Sequence, residues 1–330
     1  MNYTWRVTTE SSNGAVQNLG KQVERVLRGA RQGSFQSRHR YAKAVERFAV
    51  FLAMSFRLQK IQNTTDKHLE AYVALLKAKG CSDKFIKTEL SGIRWFSRQI
   101  PGQGRVPQLE TGLEAIGANR RFGLGSTPEV GPDRSWSDQE FAGMTEAALR
   151  SGDHAIEKAL RAAWFFGLRL NEMATMRRSA LEAALRTGIL HVRGKNGRHR
   201  EIPLAALSPR KREAARGFLE TAIRGVRRGG YVFVPEGLRV HEFKQEVQRF
   251  IGLHREGIQE SPREARLTYH GLRHAWANEE YTWRRENGLE KGPATAAVAE
   301  LLGHGRDTVT AIYVPALAQS VRERRITRER

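Results

Sequence analysis

Along the first hundred residues, apolar positions recur at helical spacing. Tyr41, Val45, Phe48 and Leu52 fall at i, i+4, i+7 and i+11, and Leu69, Val73 and Leu76 repeat the interval, so each run turns one apolar stripe toward a core. Gly80 reads as a left-handed stop, and Ser82 as the cap of a further helix whose Ile86, Leu90 and Ile93 share a side. Trp95 and Phe96 adjoin that stripe and are expected to pack there rather than stack on bases. These elements predict a small helical bundle over residues 1–119. Between Pro101 and Arg134 the sequence turns rich in Gly and Pro, with Gly123, Gly125, Pro128, Gly131 and Pro132 closely spaced, and the interdomain linker is placed at 120–134. Ser137 followed by Glu140 forms a capping box ahead of an apolar run, which opens a second domain over 135–330.

The second domain reads as mainly helical with one small β-hairpin. Leu190-His191-Val192 and Glu201-Ile202-Pro203-Leu204 flank Gly194-Lys195-Asn196-Gly197, and Asn-Gly between alternating segments is a strong hairpin signal that puts Lys195 at the tip. Ser208-Pro209 starts another helix in cap-then-proline order, and Tyr231 to Pro235 is a short strand or an extended turn.

Composition narrows the class of partner. The 56 Lys+Arg against 35 Asp+Glu leave a net charge of +21, more than solubility requires, which favours a polyanion such as nucleic acid. Residues 1–100 hold 18 basic and 7 acidic side chains, so this first third supplies +11 of the total and the basic character spans both halves. Cys81 is the one cysteine, which excludes an intramolecular disulfide and a cysteine-rich zinc site. The polar opening from Met1 to Glu10 lacks a signal-peptide core, and no apolar run is long enough to span a bilayer. The expected location is cytoplasmic, associated with the nucleoid, with no membrane partner.

Four separated segments carry groups that a plain helical protein does not need. Gly167 ends the apolar helix around Trp164, Phe165 and Phe166 and leaves Arg169 in the following turn, where either Glu172 or an external anion could be its partner. Lys195 sits among Arg193, Arg198 and Arg200, which taken alone is an ordinary solvated turn. In Thr268-Tyr269-His270-Gly271-Leu272-Arg273-His274, Thr268 can cap a helix and the i, i+3 spacing puts His270 and Arg273 on one face. Finally Leu301-Leu302-Gly303-His304 is followed nine positions later by Tyr313.

The order Arg, hairpin Lys, His-x-x-Arg, Leu-Gly-His and Tyr resembles the catalytic domain of tyrosine recombinases and phage-type integrases. The resemblance spans roughly the last 190 residues, and the N-terminal bundle is similar, more loosely, to the core-binding domain of that family. It implies a two-domain clamp around duplex DNA. It also implies that Arg169, Lys195, His270, Arg273, His304 and Tyr313 are the catalytic set. The stretch from Tyr281 to Ala294, with Trp283, Arg284, Arg285, Gly288 and Pro293, departs from the family by lengthening the interval between Arg273 and His304.

The implied chemistry suits these side chains. A phosphodiester attacked by the Tyr313 oxygen gathers charge on its non-bridging oxygens, which the planar guanidinium forks of Arg169 and Arg273 match. Neutral His270 would accept the phenolic proton, His304 would donate a hydrogen bond to the phosphate, and Lys195 would protonate the leaving 5′ oxygen. The product is a 3′-phosphotyrosine, so neither ATP, metal nor any other cofactor is called for. The resemblance further implies specific double-stranded recombination sites, a homotetramer on paired sites, an accessory directionality protein, and integration or excision of a mobile element. A tail with Val314, Leu317 and Val321 on one side would dock on a neighbouring protomer or fold back on its own. Two other readings are a type IB topoisomerase-like enzyme that nicks and reseals one duplex, and a DNA-binding regulator of the same fold without catalysis.

Overall fold

A computed structural model of the chain describes residues 13–29, 35–100, 121–125, 132–194, 197–260 and 265–303. It divides into two compact units, Met1–Thr127 and Pro128–Arg330.

In the first unit, α1 (Gly14–Gly29), α2 (Phe35–Phe56), α3 (Asp66–Ala78) and α4 (Asp83–Ser97) surround one apolar core. The periodic positions read from the sequence, among them Val45, Phe48, Leu52, Leu69 and Leu90, are buried there. Helices α2 and α4 cross closely at Gly92, where a Cβ would lie 2.9 Å from that of Ala44. Beside this crossing, Arg47 grips the buried Glu89 with both Nε (2.9 Å) and Nη2 (2.6 Å), and the Tyr72 hydroxyl donates to the same carboxylate at 2.9 Å. Burial and that neighbouring charge push the Tyr72 phenol well above its ordinary pKa. Phe96 is in the core and Trp95 leans on Tyr41, with ring centroids 5.6 Å apart. The packing role expected for both aromatics is thus the one they have.

Residues 121–125, expected in the linker, instead pack on the bundle. Phe122 and Leu124 are buried in its core, the Lys77 ammonium donates to the Phe122 carbonyl, and the Gly125 N–H donates to Asp83 at 2.6 Å. Gly and Pro mark irregular backbone, but two apolar side chains among them are enough to seat that backbone against a core. Residues 120 and 126–131 lie outside the described residues.

The second unit is built around α6 (His154–Phe166), buried from Ile156 through Phe166 on most of its circumference. Against it pack α5 (Asp138–Arg150), α9 (Pro209–Ala222) and α11 (Tyr269–Glu286), with α10 (Val240–Ile258) lying on α5. Phe141 stacks on Trp164 at 4.3 Å, and Phe218 bridges Phe165 to Phe233. The capping box is present as expected: the Ser137 hydroxyl accepts from the Glu140 N–H, and the Glu140 carboxylate from the Ser137 N–H.

A short helix α7 (Leu170–Ala174) and α8 (Arg178–Thr187) lead into the hairpin, β1 (Ile189–Arg193) and β2 (His199–Pro203). The pairing is antiparallel, from Ile189 with Pro203 to Arg193 with His199. Leu204 begins a short 3-10 turn, Leu204–Ala206, while its N–H still donates to the Gly188 carbonyl at 2.8 Å. Tyr231 to Pro235 forms the extended turn, joined to the rest by an isolated bridge between Tyr231 and Arg177. The chain then runs through α10 and α11 to α12 (Lys291–Leu302). Most of the lengthened interval after Arg273 is regular structure: α11 continues to Glu286, and α12 begins at Lys291.

Candidate functional site

The site grows from the C-terminal end of α6. Gly167 takes a left-handed conformation (φ 58°), and a Cβ there would stand 2.7 Å from the Trp276 ring. Both constraints demand glycine. The turn exposes the Gly167 carbonyl to α11 and delivers Arg169 to the start of α7. Glu172 then folds back: its carboxylate accepts from the Arg169 N–H at 2.9 Å and from Arg169 Nη1 at 2.6 Å. The pairing left open by the sequence is therefore made. Arg169 still keeps about a third of its side chain, 32%, in contact with solvent, whereas Glu172 is buried.

Helix α11 supplies the next two groups. Its first turn sits on the segment before α5: Trp136 Nε1 donates to the Thr268 carbonyl at 2.9 Å, and Gly271 lies so close that a Cβ would be 2.3 Å from the Arg134 carbonyl oxygen. Thr268 occupies the N-cap position as expected, but its side chain makes no capping hydrogen bond. Its backbone carbonyl is the group in use. Tyr269 anchors α11 to α6 by donating to the Ala159 carbonyl at 3.0 Å. Arg273 is completely buried, with Nη1 donating to the Gly167 carbonyl at 2.5 Å and Nη2 to the Leu302 carbonyl at 2.6 Å. Its Nη1 is also 3.8 Å from Glu172.

His270 lies half-buried one turn earlier, edge-on to the buried His274 with ring centroids 5.1 Å apart. Burial lowers its pKa to about 4, helped by the positive charges of Arg273, Arg169 and Arg134 and opposed by Glu172. At neutral pH the ring is uncharged, the state that can accept a proton. Glu172 is held ionised in the same environment. Burial alone would raise its pKa, but Arg200, Arg273 and Arg169 outweigh that and bring it down to about 2.

The structure thus gathers Arg169, His270 and Arg273 at one place, around a carboxylate and beside the end of α12. Lys195, His304 and Tyr313 lie outside the described residues. What can be placed is their flanks: Gly194 and Gly197 close the hairpin on either side of Lys195, and Gly303, left-handed at φ 65°, ends α12 immediately before His304. Tyr281, at the start of the lengthened interval, is buried on α11 and is not presented to solvent. Among the described residues, no cluster of three or more His, Cys, Asp or Glu side chains could hold a metal, and no helix is long and apolar enough to cross a membrane.

The sequence reading missed Arg200 as a member of this site. It was grouped with the solvated charges of the hairpin, yet it is buried, donating to Glu172 at 2.9 Å. The available signal was strand parity. Arg200 has the same parity as Ile202, so the pleat turns both inward.

The model of the phage integrase family matches residues 144–320, more than half of the chain. The chain belongs to the phage integrase family. A second model, for the phage integrase N-terminal region, matches residues 16–106 of this integrase-family chain. Among curated relatives, tyrosine recombinase XerC of Natranaerobius thermophilus is 25% identical over 301 residues, covering 87% of this chain and 90% of its own. XerD of Rhizobium meliloti is 26% identical over 305 residues, covering 90% and 89%. Among solved structures, the lambda integrase tetramer bound to a Holliday junction superposes with a TM-score of 0.62 at 18% identity, covering 95% of this chain and 81% of that one. XerH bound to its palindromic difH substrate after cleavage superposes at 0.56 and 18% identity, covering 99% and 94%. These superpositions establish the fold, a mainly helical catalytic domain with a small hairpin.

Proposed function

We propose that this integrase-family protein is a site-specific DNA recombinase that cleaves and rejoins strands through a 3′-phosphotyrosine at Tyr313. The observation that carries the reading is the convergence of Arg169, His270 and Arg273, from two helix starts more than a hundred residues apart in sequence, on one ionised carboxylate. Arg169, partly open to solvent, is placed to meet a scissile phosphate first, and Arg273 supplies a second fixed positive charge behind it. Neutral His270 takes the phenolic proton, Lys195 protonates the 5′ oxygen, and His304 hydrogen-bonds the phosphate. The covalent intermediate keeps the bond energy, so a 5′-hydroxyl from another strand reverses the step without ATP. No metal or other cofactor enters, because the arginines carry the charge.

On this reading the two units clamp one duplex, and four protomers act on paired double-stranded sites. The tail bearing Val314, Leu317 and Val321 docks in trans. An accessory protein sets direction, the protein works at the nucleoid, and the biological outcome is integration or excision of a mobile element. The tetramer in which lambda integrase holds a Holliday junction supports this stoichiometry.

The test is a suicide substrate nicked near the scissile phosphate, followed by peptide mapping of the DNA-linked tyrosine. The wild type should form an adduct in EDTA, at Tyr313. Tyr313→Phe should bind DNA with near-normal affinity and form none. An adduct that persists in Tyr313→Phe would remove the assignment, and relaxation without joints between two DNA molecules would favour the topoisomerase-like alternative.

A further inference from the structure

Arg200 is an anomaly by strand chemistry. It stands on β2 at an inward position, between the exposed His199 and Glu201, with 5% of its side chain accessible. A guanidinium turned into a core must find anionic or carbonyl partners to offset its lost hydration. It finds them on two other elements. Nη2 donates to Glu172 at 2.9 Å and reaches the Gly167 carbonyl at 3.5 Å, and Nη1 donates to the Leu301 carbonyl.

The last of these contacts decides what the residue does. The final carbonyls of a helix have no partner within it. At the end of α12 two arginines take them, Arg200 on Leu301 and Arg273 on Leu302, while Glu172 lies between the two guanidinium groups. The Arg200 stem also covers Gly303: a Cβ on that residue would be 2.8 Å from Arg200 Cδ and 3.2 Å from its Cβ. The chain therefore leaves α12 pressed against an arginine that belongs to the hairpin. His304 is the next residue, and Tyr313 follows nine positions later.

We propose that Arg200 is a positioning residue that clamps the end of α12 to β2 and Glu172, and so sets where His304 and Tyr313 stand relative to a phosphate met by Arg169, with the buried charge of Arg273 behind it. The proposal rests on the recombinase reading. Arg273 shares the hold on the end of α12 from α11, whereas Arg200 is the contact that ties that end to the hairpin. Arg200 faces protein on every side that its contacts define, so its clamp does not depend on DNA.

A clamp on the nucleophile's segment has a signature that a contribution to general folding does not share. The variants are Arg200→Lys, which keeps the charge but loses the fork, and Arg200→Met. Each is compared with wild type and Lys195→Ala for thermal midpoint, affinity for site DNA, and single-turnover adduct formation. Two suicide substrates are used: an ordinary phosphodiester, and one whose bridging 5′ oxygen is replaced by sulfur, a leaving group that needs no protonation. Lys195→Ala should be slow on the first and restored on the second. The Arg200 variants should bind DNA within threefold of wild type and form adduct on the order of 10- to 100-fold more slowly, the loss expected for a misplaced reacting group. This defect should be equal on both substrates, with Arg200→Lys the milder.

Rescue of the Arg200 variants by sulfur would put the residue on the leaving-group side and overturn the proposal, as would wild-type rates in both variants. If Arg200→Met melts more than about 10 °C lower, Arg200→Lys alone decides by the same two criteria. Absence of adduct with the wild type would count against the recombinase reading itself, an outcome separate from failure of the Arg200 proposal.

Discussion

At the scale of single residues, the site is a set of ionisation states fixed by neighbours, and acid should reveal them in order. His270 and His274 are held neutral in the fold, with pKa values lowered to about 4 and about 3, burial being the main cause for each. A histidine whose folded pKa lies below its unfolded value of roughly 6.5 contributes stability above that pH, and the contribution is lost as pH falls through the window down to the folded pKa. Glu172 behaves likewise lower down. Its value of about 2 against a reference of 4.5 corresponds to about 3 kcal/mol, present above pH 4.5 and lost between there and 2. Chemical denaturation of the catalytic unit should therefore weaken below pH 6.5 and again below 4.5. Glu172→Gln should shrink the second decline, to which His274 and Glu242 also contribute; a variant that retains it in full would show that the carboxylate is not ionised by its arginines. The same lowered His270 value predicts that adduct formation on a suicide substrate shows no acid limb near 6.5, between pH 5 and 8. A limb at 6.5 that vanishes in His270→Gln would contradict a ring already neutral there.

At the scale of elements, most boundaries were legible because they are local. Ser137 with Glu140, the stop at Gly167, the two paired strands of the hairpin and the apolar stripes each need only a few neighbouring residues to act, and each is where the sequence puts it. Arg200 was not legible, because its partners lie 28 and 101 positions away and only the folded sheet brings them near. Residues 121–125 were misplaced for a related reason: composition describes the backbone's freedom, while Phe122 and Leu124 respond to a core built elsewhere.

Two helix ends make opposite predictions. At Gly167, alanine meets both a left-handed φ and the Trp276 ring, so Gly167→Ala should destabilise the catalytic unit by about 2–4 kcal/mol, read as a lowered denaturation midpoint. At the end of α2, Arg57 takes the left-handed position (φ 51°) usually held by glycine, while its N–H bonds Ala53 and the next bonds Leu52. Arg57→Gly should accordingly stabilise the first unit by about 0.5–1 kcal/mol. If it instead destabilises that unit, the arginine side chain makes a contact worth more than the strain it imposes.

At the scale of the whole molecule, charge and connection determine how the protein meets DNA. Residues 1–100 carry +11 of the net +21, so neither unit is a neutral passenger. Each alone should hold a duplex through phosphate contacts, and joined they should hold it far more tightly, because once one unit is bound the other sees the DNA at a high effective concentration. The segment between them is now narrower than its composition indicated, since 121–125 belong to the first unit and Trp136 to the core of the second. A protease site inserted between Gly125 and Pro132 should therefore be cut in the free protein without unfolding either unit. After the cut, affinity for site DNA should fall by at least about 100-fold, the lower range of what linkage confers. The intact chain should also show a steep fall in affinity with salt, each phosphate contact adding roughly 0.9 to the log–log slope, and the cut units should each show a smaller slope. Equal affinity before and after cutting would mean that one unit does the binding, and a slope near zero for the intact chain would rule out a grip made through phosphates.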